Sequence, residues 1–119
     1  MGDSACGGYS GGLLALGLFA GRRPEFIDAD LEEREAIMRM SRKLYKKFAE
    51  AYGSCICHGI QKEIFGRAFH LSRPEEKEAF EQAGAHTLDK CTAVVGAACA
   101  WVTEILLDEG FLIPSSAEY

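Results

Sequence analysis

Apolar and polar positions along the chain recur with the period of α-helices, and turn residues divide the pattern into separate segments. Apolar residues from Tyr9 to Phe19 predict a first short helix, which ends at Gly21 and is followed by Pro24. Glycines cluster over residues 7 to 12. Because glycine has no side chain, this cluster predicts that the first helix packs closely against another backbone.

A second, longer helix is predicted to begin after Asp28 or Asp30, either of which can cap it, and to end at Gly53. Its apolar positions recur at helical spacing, while a basic run falls largely on the opposite side. The apolar positions are Ile37, Met40, Leu44, Phe48 and Ala51, and the basic run is Arg39, Arg42, Lys43, Lys46 and Lys47. We interpret this segment as an amphipathic helix whose basic face is solvated.

Two shorter helices and one long apolar helix are predicted to follow. Ser54 is the predicted cap of the third helix, which runs to about Phe65 and is predicted to end at Gly66. Pro74 is typical of the first turn of a helix and predicts a fourth one that ends at Gly84. The fifth helix is predicted from about residue 88 to residue 108.

The fifth segment is apolar on almost every side, which is typical of the central helix of a bundle. No stretch alternates apolar and polar residues as a half-buried strand does. The sequence therefore predicts an all-α fold, a small bundle of about five helices around an apolar C-terminal helix. We expect residues 1–119 to form a single helical domain, with a glycine-rich lead-in over about 1–5 and a loose tail over about 114–119.

Net charge and hydropathy limit the kinds of partner that the chain is expected to bind. Thirteen Lys and Arg against eighteen Asp and Glu give a formal net charge of −5, opposite to the basic surface that nucleic-acid binding requires. The apolar run from Leu13 to Ala20 is much shorter than the roughly 20 residues that cross a bilayer, and no basic segment precedes it. We therefore predict no nucleic-acid partner, no membrane span and a cytoplasmic location.

Cysteines at predicted helix starts are the main chemical signal. Cys6 precedes the first helix, and Cys91 lies near the start of the fifth. Cys55 and Cys57 begin the third. A helix N-terminus carries unpaired N–H groups and about half a positive charge, which stabilise a thiolate and lower the pKa of a thiol from about 8.5. An odd number of cysteines without an export signal also favours reactive or metal-bound thiols in a reducing compartment.

Packing alone is the alternative interpretation of every cysteine, because cysteine is a small apolar residue that is often buried. It is the stronger one for Cys99, which lies mid-helix among alanines and is predicted to be inert. Cys99 cannot bridge Cys91 within one regular helix, since their Cα atoms would lie about 12 Å apart. Cys55 and Cys57 form a Cys-x-Cys pair, which is neither the Cys-x-x-Cys redox motif nor a zinc-ribbon arrangement.

Three cysteine-containing segments carry a resemblance to a known family. They are Cys6-Gly7-Gly8-Tyr9-Ser10-Gly11, then Gly53-Ser54-Cys55-Ile56-Cys57, then Cys91 at the start of an apolar helix. Together they resemble the C_GCAxxG_C_C family of proposed redox-active proteins over nearly the whole chain. That family is of similar size, is expected to be helical, and is defined by four cysteines and a Cys-Gly-Ala-x-x-Gly motif.

The resemblance assigns several positions. It implies that Cys6, Gly7 and Gly11 match the motif, with Gly8 in place of the motif alanine. It also implies that two further residues, Cys57 and Cys91, correspond to the later family cysteines.

The family's first cysteine lies on a helix upstream of a glycine-rich turn. Met1-Gly2-Asp3 resembles the inside of that turn, so we expect this chain to lack the helix and its cysteine. Two explanations stay open: the sequence starts late, or this member has dispensed with the helix, in which case Cys55 is the candidate that partly replaces the missing thiol. The surface that the helix covers would expose apolar groups on the first and fifth helices, and we predict a homodimer that buries them.

Three functional hypotheses follow. The first is thiol–disulfide redox chemistry, as in a thiol-dependent oxidoreductase with an unknown redox partner, in which Cys6, Cys57 and Cys91 meet and Cys55 is a further candidate. The second is an iron–sulfur cluster or another thiolate-bound metal held by Cys6, Cys55, Cys57 and Cys91, with His58 a weak candidate ligand. The third is a helical subunit without a cofactor, in which the cysteines only pack.

Overall fold

The computed structural model describes residues 4–29 and 31–113. Within these ranges it contains five α-helices, a short 3-10 turn and no β-strand beyond one isolated bridge. The helices are α1 (Gly7–Ala20), α2 (Leu31–Tyr52), α3 (Cys57–Phe65), α4 (Pro74–Gln82) and α5 (Cys91–Asp108), and the 3-10 turn spans Pro24–Phe26. The all-α prediction is confirmed. The predicted cap Asp30, the tail at 114–119 and the first three residues of the lead-in lie outside the described residues.

Glycine ends two of the helices where the sequence predicts. Gly53 follows α2 with a φ of 69°, and Gly66 follows α3 with a φ of 77°. Residues with a side chain rarely adopt this left-handed conformation, in which the N–H group turns back toward the last helical carbonyls. The N–H of Gly66 donates to the carbonyl of Lys62 at 2.9 Å.

Two helix starts lie later than predicted. Ser54 does not cap α3; its hydroxyl oxygen instead accepts the N–H of Ile56 at 3.0 Å, because the chain is still extended at Ile56, the residue before the helix. The α5 helix begins at Cys91 rather than near Leu88. A turn precedes it, in which the N–H of Thr87 donates to the carbonyl of Gly84 at 2.9 Å, so these residues are not available for the helix.

The main core lies between α1, α2 and α5, with one side of α3 packed against it. Gly12 allows the close packing of α1: a Cβ atom there would lie 2.8 Å from Leu44 Cδ2 and 3.1 Å from Val102 Cγ2. Buried members of this core are Leu16, Ala20, Met40, Leu44, Phe48, Ile60, Val94, Ala98, Val102, Ile105 and Leu106. The predicted central position of the C-terminal helix is therefore observed.

A second, smaller cluster is aromatic and lies beside the start of α5. The ring centroids of Phe65, Phe69 and Phe80 are 5.4 to 5.5 Å apart. Buried Ala85 belongs to this cluster, and the partly buried Cys91 packs against it. The cluster thus connects the end of α3 and α4 to the first residue of α5.

The α5 helix is long and apolar enough to cross a membrane by length and composition alone, with a mean hydropathy of 1.5 over 18 residues. In this fold it contacts α1 and α2, and the core helix of a bundle has the same composition. The run from Leu13 to Ala20, which is too short to cross a bilayer, lies outside α5. The absence of a membrane span therefore stays a prediction.

Apolar side chains are exposed on the first and fifth helices, as expected. Leu14 is 73% exposed and Leu18 is 87% exposed on α1, and Val95 is 48% exposed on α5. A single chain does not test self-association. The homodimer stays a prediction.

Candidate thiol site

A short antiparallel bridge places the starts of α1 and α3 side by side. Ala5 pairs with Ile56. The N–H of Cys6 donates to the carbonyl of Cys55 at 2.9 Å, and the N–H of Cys57 donates to the carbonyl of Ser4 at 2.9 Å. Cys6 is the residue that precedes α1, and Cys57 is the first residue of α3. Two cysteines about fifty positions apart in sequence are therefore held together by backbone hydrogen bonds.

Two hydrogen bonds position the start of α5, where Cys91 is the first residue: one to the segment that follows α4 and one to α3. The N–H of Cys91 donates to the carbonyl of Ala85 at 3.1 Å. The ammonium of the preceding residue, Lys90, donates to the carbonyl of Ile64 at 3.1 Å, near the C-terminal end of α3. A lysine satisfies such a free carbonyl well, because the helix C-terminus is negatively polarised. These contacts fix the start of α5 against α3 and the segment that follows α4.

One cavity of about 210 Å³ is lined by all three of Cys6, Cys57 and Cys91. The other lining residues are Gly7, Gly8, Ile60, Gln61, Val94 and Val95. The structure therefore brings together the three cysteines that were expected to meet. Their chemical roles stay predictions.

Gln61 is a site residue that sequence reasoning missed. It is only 2% exposed, and its Nε2 donates to Cys57 Sγ at 3.3 Å. Its Oε1 accepts the N–H of Phe69 at 2.8 Å, which fixes the orientation of the amide so that a donor faces the sulfur. The available signal was spacing, since a residue four positions after Cys57 lies on the same face of α3.

Burial raises the pKa of both Cys57 and Cys91 above the ordinary value for a thiol. For Cys57, a charge on Cys6 raises the pKa further, and the hydrogen bond from Gln61 lowers it by less. For Cys91, charges on Cys57 and Cys6 act in the same direction as burial. The expectation of a lowered pKa at these helix starts is wrong for these two thiols, because desolvation by the apolar walls disfavours the thiolate.

Cys55 and Cys99 lie apart from this cavity. Cys55 is partly buried against the main core, on the side of Tyr9. Cys99 is exposed, so the prediction of inert packing is wrong. It lines an open groove between α1 and α5 together with Gly11 and Val102, because that side of α5 is not covered by α2.

The described residues give no support to the metal alternative. Within 4–29 and 31–113, no group of three or more Cys, His, Asp or Glu side chains is placed to hold a metal ion. This geometric result includes Cys6, Cys55, Cys57 and Cys91, and also His58, which is the second residue of α3.

The motif glycines differ in their surroundings. A Cβ atom on Gly8 would lie 3.4 Å from Ala98 Cβ, 3.5 Å from Val95 Cα and 3.7 Å from Cys6 Sγ, all ordinary contact distances. The alanine of the family motif would therefore fit at this position. Cβ atoms on Gly7 and Gly11 would meet nothing within 4 Å.

An all-α fold with three thiols converging from separate helix starts defines a class of small helical cysteine proteins. The chain belongs to the C_GCAxxG_C_C family, described as "Putative redox-active protein (C_GCAxxG_C_C)", whose family model matches residues 1–105. Comparison with curated proteins and with solved structures gives no match.

Proposed function

We propose that this protein carries out thiol–disulfide exchange in the cavity lined by Cys6, Cys57 and Cys91. One observation carries the proposal: three cysteines from distant parts of the sequence line a single cavity. Membership of a family described as redox-active supports it. All five cysteines are free, so two-electron oxidation of a pair is available to the chain.

Cys57 is the attacking thiol in this proposal. Its sulfur accepts a hydrogen bond from Gln61 Nε2, and that bond offsets part of the rise in the pKa of Cys57 that burial causes. After losing its proton, Cys57 attacks one sulfur of a disulfide RSSR. The S–S bond of the substrate breaks, the sulfur that is not attacked leaves as the thiolate RS⁻ and takes up a proton, and Cys57 is left in a mixed disulfide with the sulfur that it attacked.

Cys6 or Cys91 then resolves the mixed disulfide. Either thiol loses its proton and attacks Cys57 Sγ, and the second RS⁻ leaves with that proton as RSH. In sum, two protein thiols lose two electrons and two protons, and the substrate disulfide becomes two thiols. A dithiol reductant then reduces the protein disulfide by the reverse steps and regenerates the reduced chain.

The apolar walls suit this cycle, because the protonated thiol pair and the protein disulfide are both uncharged. Desolvation disfavours two simultaneous thiolates, as the raised pKa values of Cys57 and Cys91 show. Proton release therefore accompanies electron transfer. We place this chemistry in the reducing cytoplasm, where free thiols persist.

Disulfide mapping tests the proposal. The reduced chain is oxidised with an excess of a small disulfide, digested and analysed by mass spectrometry, then reduced again with dithiothreitol. We expect Cys57→Ser to abolish the reversible intramolecular disulfide, and one of Cys6→Ser and Cys91→Ser to do the same. Cys99→Ser is the control and should leave it unchanged. A Cys57→Ser variant that still forms a reversible disulfide between Cys6 and Cys91 would contradict the role of Cys57, and a native chain that forms none would contradict the function.

A further inference from the structure

The walls of the thiol cavity are uncharged. The side chains that line it are sulfhydryl, aliphatic or, at Gln61, a neutral amide, and none of the lining residues among those the structure describes is acidic or basic. The amide of Gln61 already has partners for its oxygen and for one N–H. A molecule entering the cavity therefore meets mainly hydrocarbon and sulfur.

The cavity is also small. Its volume of about 210 Å³ lies below the range of about 300–1,000 Å³ typical of sites for drug-sized ligands. A tripeptide disulfide with several ionised groups would have to leave most of its bulk outside. A small molecule would fit within the walls.

Access to the cavity is from an apolar rim. Val95 lines the cavity and is 48% exposed, and Gly7, which is also exposed, lies on the rim formed by α1. Neither residue offers a charge that would compensate an ionised substrate. An ion entering here would lose hydration and would gain no charged side chain in return, which is unfavourable.

We propose that the site binds small, neutral, largely apolar thiol-reactive molecules, and that neutral disulfides rather than charged ones are its exchange substrates. This inference rests on the proposed function for the exchange step, but the binding preference comes from the cavity alone. In the exchange, Cys57 attacks one sulfur of the neutral disulfide, and both product thiols leave protonated and uncharged. No charged species has to remain in the cavity.

Alkylation with a size-matched pair of reagents tests the binding preference. The reduced chain is treated at pH 8 with neutral iodoacetamide or with anionic iodoacetate, and the rate at each cysteine is followed by mass spectrometry. The ratio of the two rates at one cysteine does not depend on its pKa, because both reagents attack the same thiolate. Exposed Cys99 is the reference within the same molecule. We expect the ratio of neutral to anionic rate to be at least about tenfold larger at Cys57 than at Cys99.

A rim variant shows whether the cavity itself causes the preference. Val95→Lys places a cation at the entrance and should bring the ratio at Cys57 close to that at Cys99. Val95→Met is the uncharged control and should leave the ratio unchanged. Equal ratios at Cys57 and Cys99 in the native chain, or a ratio unaffected by Val95→Lys, would overturn the inference.

Exchange with two disulfides separates this inference from the proposed function. We expect the neutral bis(2-hydroxyethyl) disulfide to oxidise the Cys57 pair at least about tenfold faster than anionic glutathione disulfide. Equal rates would overturn the neutral substrate class and leave thiol–disulfide exchange intact. If the neutral reagent is preferred in alkylation but neither disulfide oxidises the chain reversibly, the proposed exchange is wrong. The binding preference then still holds. Exchange with protein disulfides alone would assign the site to a protein partner and overturn the small-molecule class.

Discussion

The two ends of α5 place ionisable groups in opposite environments. At its start, Cys91 lies in an uncharged cavity with two other thiols. Just beyond its end, about 27 Å away for 18 residues, Glu109 accepts hydrogen bonds from Arg39 Nη2 at 2.7 Å and Lys43 Nζ at 2.6 Å. Burial raises the pKa of the thiol, whereas the hydrogen bonds from Arg39 and then Lys43 lower the pKa of the carboxyl of Glu109 to about 2.

The comparison shows that the stable charge state of an ionisable group depends on whether an opposite charge lies beside it, and not on burial alone. The side chain of Glu109 is 9% exposed, and its charge is stable because two cations compensate it. The thiols of Cys57 and Cys91 have no such cation among the causes of their shifts, so the neutral form is favoured. The fold places the ion pairs of Glu109 at one end of α5 and the three cavity thiols at the other.

We expect the largest effect on stability and thiol reactivity from a charge placed in the uncharged cavity at the start of α5. Gln61→Glu replaces the donor to Cys57 Sγ by a carboxylate, which repels the thiolate and raises the pKa of Cys57 further. We expect the rate of Cys57 alkylation at pH 8.5 to fall about tenfold or more, and the free energy of unfolding to fall by about 1–3 kcal/mol. Chemical denaturation and site-resolved alkylation measure both. Gln82→Glu, the same change at an exposed position of α4, replaces the bond from Gln82 Nε2 to Glu78 Oε1 by a solvent-exposed like-charge pair, so it should cost less than about 0.5 kcal/mol and leave the alkylation rate unchanged. An unchanged alkylation rate in Gln61→Glu would refute the hydrogen bond's role.

Removing the charge at the other end should have a smaller effect. Glu109→Gln should lower the free energy of unfolding at pH 7 by roughly 1 kcal/mol, since both cationic partners are partly exposed and solvent screens the pairs. The lowered pKa gives a contribution that is present above the unfolded value near 4.3 and is lost as pH falls toward about 2. Denaturation between pH 5 and 2 should therefore show a flatter pH dependence in the variant.

The control for that change is Glu104→Gln. Glu104 pairs with Lys47 at 3.5 Å, and its side chain is 57% exposed. An exposed pair contributes little, so we expect less than about 0.5 kcal/mol. Equal losses in the two variants would contradict the special position of Glu109.

The thiol end should contribute to the alkaline side of the stability curve, at lower pH than Tyr9 and Tyr52, whose pKa values burial also raises. Because the folded chain raises the pKa of Cys57 and Cys91, their contribution is complete below the unfolded value near 8.5 and is lost as pH rises above it. The free energy of unfolding of the reduced chain should therefore fall as pH rises above about 8.5. The double variant Cys57→Ser, Cys91→Ser should flatten this slope, and Cys99→Ser should not. A slope that is the same in all three chains would show that the two thiols are not desolvated.

The smallest effect is a gain of stability at the thiol end without a change of charge. Gly8→Ala adds a methyl group that fits against Ala98, and it restricts the unfolded chain, so we expect a gain of about 0.4–1 kcal/mol. Gly12→Ala is the matched control, because its Cβ would lie 2.8 Å from Leu44 Cδ2 and should destabilise the chain. Thermal unfolding compares the two. A loss of stability in Gly8→Ala would mean that α1 and α5 lie closer at the cavity than described.

Local sequence patterns were sufficient to predict that the helices form and where two of them end. Helical spacing predicted the amphipathic α2 and the apolar α5, and Gly53 and Gly66 predicted where two helices end. These features depend on side chains and φ values within a few residues of one another, so they can be recognised without the rest of the chain. The cap at Ser54 failed because residues 55 and 56 pair with a distant segment.

The sequence by itself determined that the chain is helical and that three thiols stand at or beside helix starts. Only the tertiary structure decided that Cys6, Cys57 and Cys91 share one cavity, that Gln61 donates to one of them, and that Cys99 is exposed. The physical reason is that helical periodicity shows which residues share a face, but not which faces meet. That meeting depends on nonlocal contacts, here the bridge between Ala5 and Ile56 and the packing of α1 on α5, and the same contacts set the desolvation that raises the thiol pKa values.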